Sequence, residues 1–590
     1  MRTPTLQYLY LQKPVTMIVM ICLLSVLPWI GMGDFSTKGE PREAAVAISM
    51  LETGNWVLPQ TYADEFAFKP PMAHWLMAAC SLPAGEVTEF TSRLPSALAF
   101  TTLIGFVLLF FGRRITRFHE AFIATLLLIT CVEIHRAAMT TRVDMLLTTF
   151  MVLGLFQLYR WEEQLELKGL PVVIPLLLGC AVLTKGPVGI VLPLFVFAVY
   201  LLMLGKYPWR TIAKAVFYAG FSSLFLPSLW YIAAWRQGGD DFLELVFAEN
   251  FGRFFHLSTT DIPYELGHEN GAWYNFMTLA AGFAPWTVFF LFSLFGLDKS
   301  VLPTGGLKAC FQRMWQRIRS MEKVRLFSLV AFVCILFFYT IPSSKRSVYL
   351  MPAYPFIALF LAQYALYITE YRTRCTRCFA AFLAALVTVV FVGLVLVMAG
   401  AVDPVALVGS FTQKESLLYA VGLVAERFAH PDGCTWGILA VNLFALLTLY
   451  YQLFKKINIK MLYATILLTF TVHLLVDGVV MPAYRHGQSA KAFAARIKQD
   501  YPLTKENIFV VNDLRHFRNL YGLNFYLGNC FHDLDNAQPA SGYFVAGEQD
   551  MERIKQRYAE KYTFELLTTS EHSLQELHQK MALYAFRSSE

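Results

Sequence analysis

The stretch that decides the fold class is residues 94–112, which read LPSALAFTTLIGFVLLFFG. It carries no charge, and a helix of this length matches the hydrocarbon core of a bilayer, which is roughly 30 Å thick. Similar apolar runs recur through the first 480 or so positions. Only 15% of the 590 residues are charged, whereas a soluble protein carries about 25%. The sequence therefore predicts a polytopic α-helical membrane protein.

The apolar runs predict about thirteen transmembrane helices. They lie near 15–33, 94–112, 119–135, 143–159, 170–184, 187–204, 211–234, 274–296, 325–341, 349–369, 379–400, 436–453 and 460–481. The first run lacks a small-residue cleavage site and precedes a long membrane domain, so we expect a retained helix and not a signal peptide.

The connections between these runs alternate in charge. Lys and Arg dominate one set, made of residues 113–117, 206–210, 298–325, 372–374 and 455–460, whereas the connection at 160–168 does not follow this pattern. The positive-inside rule places this set, and with it the N-terminus, in the cytoplasm. The other set contains two long loops, 34–93 and 235–273. The first holds eight acids and four bases, and residues 236–269 of the second hold seven acids and two bases. The net charge of +7 thus follows from topology, and no nucleic-acid partner is needed to explain it.

Residues 484–590 differ in character from the membrane domain at 1–483. NIFVVND at 507–513 and SGYFVAG at 541–547 predict strands, whereas HFRNLYGLNFYL at 516–527 and EQDMERIKQRYAEKY at 548–562 predict helices. We expect a small α/β domain, and an odd number of spans puts it on the outer face.

Charged residues beside apolar runs are costly and usually functional, and on the predicted outer face they mix both signs. They are Asp34, Glu40, Arg42, Glu43 and Lys69 of the first loop, Arg142 and Asp144 in TTRVDMLL, Lys185 in LTKGPVG, and Lys345 and Arg346 in SSKRSVYLMPAYP, where the polar Tyr349 follows them. Bases can hold a phosphate that becomes a leaving group, and an acid can take a proton from an incoming hydroxyl. This mixture favours a reaction on a phosphate-bearing lipid.

Two other functions receive little support. No Gly-rich nucleotide loop follows a strand, which argues against a nucleotide-driven pump. Cys375 and Cys378 form a single CxxC with no second pair nearby, whereas a structural zinc site needs about four ligands. We predict no metal there.

The outer-face motifs resemble one known family. GEPREAAVAISMLETGNWVLPQTYADEFAFKPPMAHW, TTRVDMLLTTF, LTKGPVG, ENFGRF, GHENGAWYNFMTLAAGFAPW and SSKRSVYLMPAYP follow one another over roughly residues 30–360. Their order is similar to that of the bacterial aminoarabinose transferases and protein O-mannosyltransferases. These are GT-C glycosyltransferases that use a polyprenyl-phosphate sugar as donor.

The resemblance implies a GT-C fold and inverting transfer of a sugar from undecaprenyl phosphate at the periplasmic face of the bacterial inner membrane. Lipid A is the acceptor that the aminoarabinose branch implies, and a protein or another glycan is the alternative. A lipid-linked sugar transporter and an inactive lipid-binding relative remain as lesser alternatives. No cofactor is implied as obligatory.

The resemblance also assigns site residues by position. Glu40, Asp144 and Asp34 are the catalytic candidates, and the donor phosphate would contact Lys69, Lys185, Arg253, Lys345, Arg346 and Tyr349. Other substrate contacts are expected from Arg42, Arg142, Asn250, His268 and Tyr354.

The chain departs from the family pattern at three points. Gly39 stands where the family often has an aspartate before Glu40. Phe68 and Asn250 stand where the aminoarabinose branch tends to have a glutamate and a histidine that can bind a metal. The paired loss argues against a metal at that position.

The KPP motif at 69–71 offers a reason for a lysine at the start of an apolar segment. Proline is tolerated in a first helical turn, so we expect KPP to begin an interfacial helix whose apolar AHWLMAA lies on the membrane. Lys69 would then sit at headgroup height, where a lipid phosphate lies; the plainer alternative is an interface anchor without a ligand.

Overall fold

A computed structural model describes residues 12–67, 69–247, 270–294, 307–342, 344–513 and 517–589. Its helices up to the middle of the chain are α1 Pro14–Val26, α2 Gly39–Thr53, α3 Met72–Ser81, α4 Glu89–Gly112, α5 Phe118–Ile129, α6 Val132–Ala138, α7 Val143–Leu165, α8 Val173–Lys185, α9 Val188–Leu204, α10 Trp209–Ser223, α11 Phe225–Phe247, α12 Tyr274–Gly282 and α13 Trp286–Leu294. The later helices of the membrane region are α14 Leu307–Arg319, α15 Lys323–Thr340, α16 Tyr354–Tyr371, α17 Thr373–Met398, α18 Pro404–Gly409, α19 Glu415–Ala429, α20 Gly433–Lys455, α21 Asn458–Leu475 and α22 Met481–His486. A 3₁₀ turn at Ser347–Ala353 leads into α16, and a single π turn at Val476–Val480 joins α21 to α22.

The chain is a predominantly helical membrane protein. Within the described residues, seven helices are long and apolar enough to cross a membrane, and up to ten spans result if each of three bent helix pairs is one span. Three shorter apolar helices, α1, α8 and α9, add to these. Each of the thirteen predicted runs overlaps one of these helices or pairs, and the exact number of spans stays a prediction.

One predicted loop begins later than expected. The sequence placed an outer loop at 235–273, but α11 continues to Phe247, with a break in its helical backbone at Gly239. The extension is helical because its apolar side packs on the first loop: Phe242 and Trp230 share a core with Leu58, and the Trp230 indole donates to the Val57 carbonyl at 2.9 Å.

The first loop folds into two helices, as the sequence led us to expect, but KPP stands before the second helix and not inside it. Pro71 is the N-cap residue of α3, which begins at Met72. Ala73, His74 and Met77 are buried in the protein, so much of the AHWLMAA segment packs against its neighbours α2 and α4 and not on lipid.

The C-terminal region contains a five-stranded sheet. Its elements are α23 Lys491–Asp500, β1 Ile508–Val510, α24 Tyr521–Leu527, β2 His532–Asp533, α25 Leu534–Ala537, β3 Ser541–Gly547, α26 Met551–Arg557, β4 Tyr562–Thr569 and β5 Met581–Ser588. The strand order is β2-β1-β3-β5-β4, with parallel pairing around β1 and antiparallel pairing around β5. β1 and β3 lie in the two predicted strand segments, whereas β2, β4 and β5 were not predicted.

The C-terminal region is fastened to the first loop. The Leu520 amide donates to the Tyr62 hydroxyl at 3.2 Å, and the Ala63 amide donates to the Phe531 carbonyl at 3.0 Å. These contacts bring α24 over the segment that leads to Lys69.

Candidate functional site

Glu40, in the first turn of α2, is a buried anchor. The Arg93 guanidinium donates to its carboxylate at 2.8 Å, and the Thr141 amide donates at 3.0 Å. Burial acts to raise the pKa of Glu40, but the charges of Arg93 and Arg485 outweigh it and hold that pKa below its usual value. The geometry therefore keeps Glu40 ionised and joins α2, α4 and the start of α7.

Arg93 connects Glu40 to the backbone of the preceding segment. Its side chain is fully buried and also donates to the carbonyls of Ile30, at 2.8 Å, and Gly33. A buried guanidinium is stable only when its donors are paired. Sequence reasoning did not single out Arg93, although its position next to an uncharged run was the available signal.

Glu43 lies one turn after Glu40 on α2, a spacing that puts the two acids on the same side of the helix. One carboxylate oxygen accepts from Arg42 at 2.9 Å and from the Lys69 ammonium. The other contacts His74 Nε2 at 3.0 Å. Burial acts to raise the pKa of Glu43, but Lys69 and Arg42 outweigh it and hold the pKa well below its usual value.

Lys69 lines a small, partly open cleft. Burial lowers the pKa of its ammonium, Glu43 partly offsets this, and the result is about 8. The wall also contains Arg42 from α2 and Tyr521 from the C-terminal region. Lys69 is therefore both tethered and close to its titration point near neutral pH.

Asp144 and Lys185 form the second acid–base pair of the site. Asp144 is in the first turn of α7 and Lys185 in the last turn of α8, where each charge suits the helix dipole. The Lys185 ammonium donates to Asp144 and lies 4.3 Å from the centre of the Tyr349 ring, a cation–π arrangement. Gly186, at φ 86°, makes the tight turn after Lys185.

The two pairs belong to one electrostatic site. The charge of Lys69 interacts electrostatically with the charges of Lys185 and Asp144. Arg346 acts on Lys185, and Arg142 acts on Asp144. The site thus combines four or more basic side chains with two buried carboxylates, which suits an anionic ligand that brings further negative charge.

The remaining predicted residues are placed as follows. Lys345 is buried and donates to the Asn270 carbonyl at 3.0 Å, whereas Arg346 is exposed. Arg142 lies beside Gly39. Tyr354 is fully buried and stacks on Phe283 with 4.2 Å between ring centres.

Asp34 forms ion pairs with residues other than the lysines and arginines of this site. Its carboxylate contacts His486 at 2.8 Å and Lys491 at 3.0 Å, at the junction between the membrane helices and the C-terminal region. Its carboxylate is thus engaged in holding that junction. Asn250, Arg253 and His268 lie outside the described residues, as does Phe68.

Three comparisons relate this chain to known proteins. The model of the dolichyl-phosphate-mannose-protein mannosyltransferase family matches residues 68–232, the part of the chain that contains Lys69, Asp144 and Lys185. An uncharacterised protein from Aquifex aeolicus is 27% identical over 341 residues, which are 57% of this chain and 60% of that protein.

An undecaprenyl phosphate-alpha-4-amino-4-deoxy-L-arabinose arabinosyl transferase from Erwinia tasmaniensis is 21% identical over 367 residues, 61% of each chain. The match thus spans about three fifths of each of these two relatives.

A solved structure extends the likeness to nearly the whole chain. ArnT from Cupriavidus metallidurans bound to undecaprenyl phosphate superposes with a TM-score of 0.67 at 18% identity, covering 97% of both chains. The apo form of the same protein gives 0.67 at 17% identity. The family resemblance drawn from the sequence is confirmed at the level of the fold, because the chain shares its overall fold with these ArnT structures.

Proposed function

We propose that this protein is a membrane glycosyltransferase that moves a sugar from a polyprenyl-phosphate carrier to an acceptor at the outer face of the bacterial inner membrane. The names of the curated relatives and the lipid in the similar crystal structure support the undecaprenyl carrier. The observation that carries the proposal is the pairing of two lysines, Lys69 in the cleft and Lys185 near it, with two buried acids, Glu43 and Asp144.

The charge change in the reaction explains why two lysines are useful. The donor is a phosphodiester-like glycosyl phosphate with one negative charge. When the bond between the sugar carbon and the phosphate oxygen breaks, the leaving phosphate gains a second negative charge. Lys69 and Lys185 stabilise this developing charge, as preorganised donors do in other enzymes. Tyr349 and Arg346 belong to the same end of the site.

The buried acids have a positioning role in this proposal. Glu40 and Glu43 have pKa values below their usual range, so they are weak proton acceptors and strong partners for cations. Asp144, which the resemblance assigns as catalytic, is held by Lys185 in the same way. An acceptor that is already anionic, such as a lipid A phosphate, needs no base at all, whereas a sugar or protein hydroxyl has a proton to lose.

The acceptor oxygen forms the new bond to the sugar carbon from the side opposite the leaving phosphate. Inversion of configuration at that carbon is part of the proposal. The residues just described bind the donor, orient it and balance its charge.

Two acceptor classes are supported by different observations. The aminoarabinose relatives favour lipid A, and the mannosyltransferase family match at 68–232 favours a protein acceptor. Mass spectrometry of lipid A and of periplasmic glycoproteins from a deletion strain separates them, because only one product class loses its sugar.

The same strain tests the function itself. We expect deletion to cause accumulation of one undecaprenyl-phosphate sugar, which wild-type protein removes on complementation and which Lys69→Ala and Asp144→Asn leave in place. Unchanged donor lipid in the deletion strain would contradict glycosyl transfer and favour an inactive lipid-binding protein. Accumulation on the cytoplasmic leaflet alone would favour a transporter.

Topology is tested separately. We propose that the C-terminal region and first loop are periplasmic and that the N-terminus is cytoplasmic. The test introduces a cysteine at Glu552, an exposed position on α26. If a membrane-impermeant reagent labels this cysteine in intact spheroplasts, the proposed orientation is supported. If the cysteine is labelled only after lysis, the orientation is the opposite one.

A further inference from the structure

A second group of polar side chains lies away from the two lysine pairs. His135, His473 and Asp477 each offer one ligand atom, and these atoms lie within 4.8 Å of one another. His135 Nε2 is 2.6 Å from an Asp477 carboxylate oxygen, and the two imidazole rings have centres 4.2 Å apart.

The fold brings these residues together with two irregular elements. His135 is on the short helix α6, which is bent by 64° from α5. Asp477 is in the π turn Val476–Val480, and π turns in helices often mark functional sites. His473 precedes Asp477 by four residues, so both project from one side of the last membrane-spanning helix.

The burial of these groups calls for a partner. His135 is only 3% exposed, and its Nδ1 has no hydrogen-bond partner within the described part of the chain. His473 contacts the Thr130 carbonyl at 3.2 Å. Ionisable side chains inside apolar segments are expensive and usually serve a binding or transfer role, and the His135–Asp477 contact alone leaves one buried ring nitrogen unexplained.

We propose that His135, His473 and Asp477 bind one divalent transition-metal ion of the zinc type. Two imidazoles and one carboxylate are a common donor set for such ions, with a water in the remaining position. Zinc–ligand distances of about 2 Å would require the three side chains to close around the ion. None of these three residues is Phe68 or Asn250, the two positions at which the family pattern has its metal ligands.

The ion would stabilise the outer end of the bundle. It would tie the last spanning helix to α6, which leads directly to Thr141 and its hydrogen bond to Glu40. Arg485 interacts electrostatically with both Glu40 and Asp477. This one side chain therefore connects the proposed metal position with the buried Glu40.

The test uses full-length protein purified with a tag that contains no histidine, reconstituted in nanodiscs and stripped with a chelator. Zn²⁺ is added, excess ion is removed, and zinc per chain is measured by elemental mass spectrometry together with the thermal unfolding midpoint. Co²⁺ in place of Zn²⁺ gives visible absorption bands that report nitrogen and oxygen coordination.

We expect one zinc per chain and a raised unfolding midpoint in the wild type, and loss of both in His473→Gln and in Asp477→Asn. His119→Gln is the matched control, because His119 is on α5 beside Tyr463 and not in the cluster; it should bind zinc like the wild type. Asp477→Asn preserves the shape of the side chain, so an unchanged gel-filtration profile shows that it folds. No zinc in the wild type, or equal zinc in the wild type and both variants, would overturn the proposal. Because the readouts are metal content and stability, the result is independent of glycosyl transfer.

Discussion

Glu43 holds the ammonium of Lys69 at the wall of the cleft. The contact links the helix α2 to the KPP segment, and Arg42 and His74 share the same carboxylate. A lysine with a pKa of about 8 is mostly protonated at neutral pH, so it can donate to a phosphate group there. The first predictions therefore concern this pair.

Replacing Glu43 by Gln should lower turnover by about 100-fold, the size expected when a group that orients a charge-stabilising donor is lost. Without the carboxylate, burial alone would lower the pKa of Lys69 further, so less ammonium would face the donor. Glu52→Gln is the matched control on the same helix, since Glu52 forms an ion pair with Lys505, and it should turn over like the wild type. Equal turnover of the two variants would remove Glu43 from the site.

The pH dependence should follow Lys69. Its ammonium is present below pH 8 and is lost as the pH rises through that value. We expect kcat/KM for the donor, which reports groups of the free enzyme, to fall as the pH passes from below to above 8. Lys69→Arg keeps its charge at all these pH values, so its profile should stay flat through this range even if its maximum is lower. A wild-type profile that is flat through pH 8 would contradict the assignment.

The Glu40–Arg93 pair should matter for stability. Removing one partner of a buried ion pair costs about 3–5 kcal/mol, because the other charge is left uncompensated. We expect Arg93→Met to lower the thermal unfolding midpoint strongly, whereas Arg117→Met, at an exposed arginine paired with Glu370 at 3.7 Å, should have little effect. The ionised Glu40 contributes to the free energy of unfolding at pH values above the pKa of a glutamate in the unfolded chain. This contribution is lost as the pH falls through the lower pKa that Glu40 has in the folded protein. Similar midpoints for the two variants would show that the pair is not a structural anchor.

Tyr521 should affect the acceptor more than the donor. It lies on α24 of the C-terminal region and lines the same cleft as Lys69, with its ring 4.9 Å from that of Tyr62. Tyr521→Ala is expected to raise the KM for the acceptor several-fold while donor binding stays within about two-fold. Tyr501→Ala, elsewhere in the same region, is the control. A change in donor affinity alone would move Tyr521 to the donor side.

Hydropathy and charge were sufficient to predict the membrane helices, because long apolar runs have few alternatives to spanning a bilayer. Asp144 and Lys185 were identified because charged residues next to such runs are conspicuous. The partner of Lys69 was not predicted. Glu43 appeared only as one of several loop acids, and nothing in the sequence says which acid on a helix faces a lysine that is 26 positions away.

The contributions of the C-terminal region were also beyond sequence reasoning. Tyr521 reaches the cleft only because α24 packs on the first loop, a contact between residues more than 400 positions apart. The strand β5 was missed for a local reason. MALYAFRS in β5 has alanine and methionine where β-branched residues would have given a clear signal.

The most direct test of the central claim is release of free undecaprenyl phosphate by the purified protein. A panel of undecaprenyl-phosphate sugars is offered in nanodiscs together with lipid A or periplasmic protein as acceptor. Wild type is compared with Lys69→Ala, Asp144→Asn and the control Glu52→Gln. We predict acceptor-dependent release from one donor by the wild type and the control, and at least 100-fold less by the two site variants. Release that is unaffected by either variant would contradict the site, and no release from any donor despite measurable lipid binding would contradict glycosyl transfer itself.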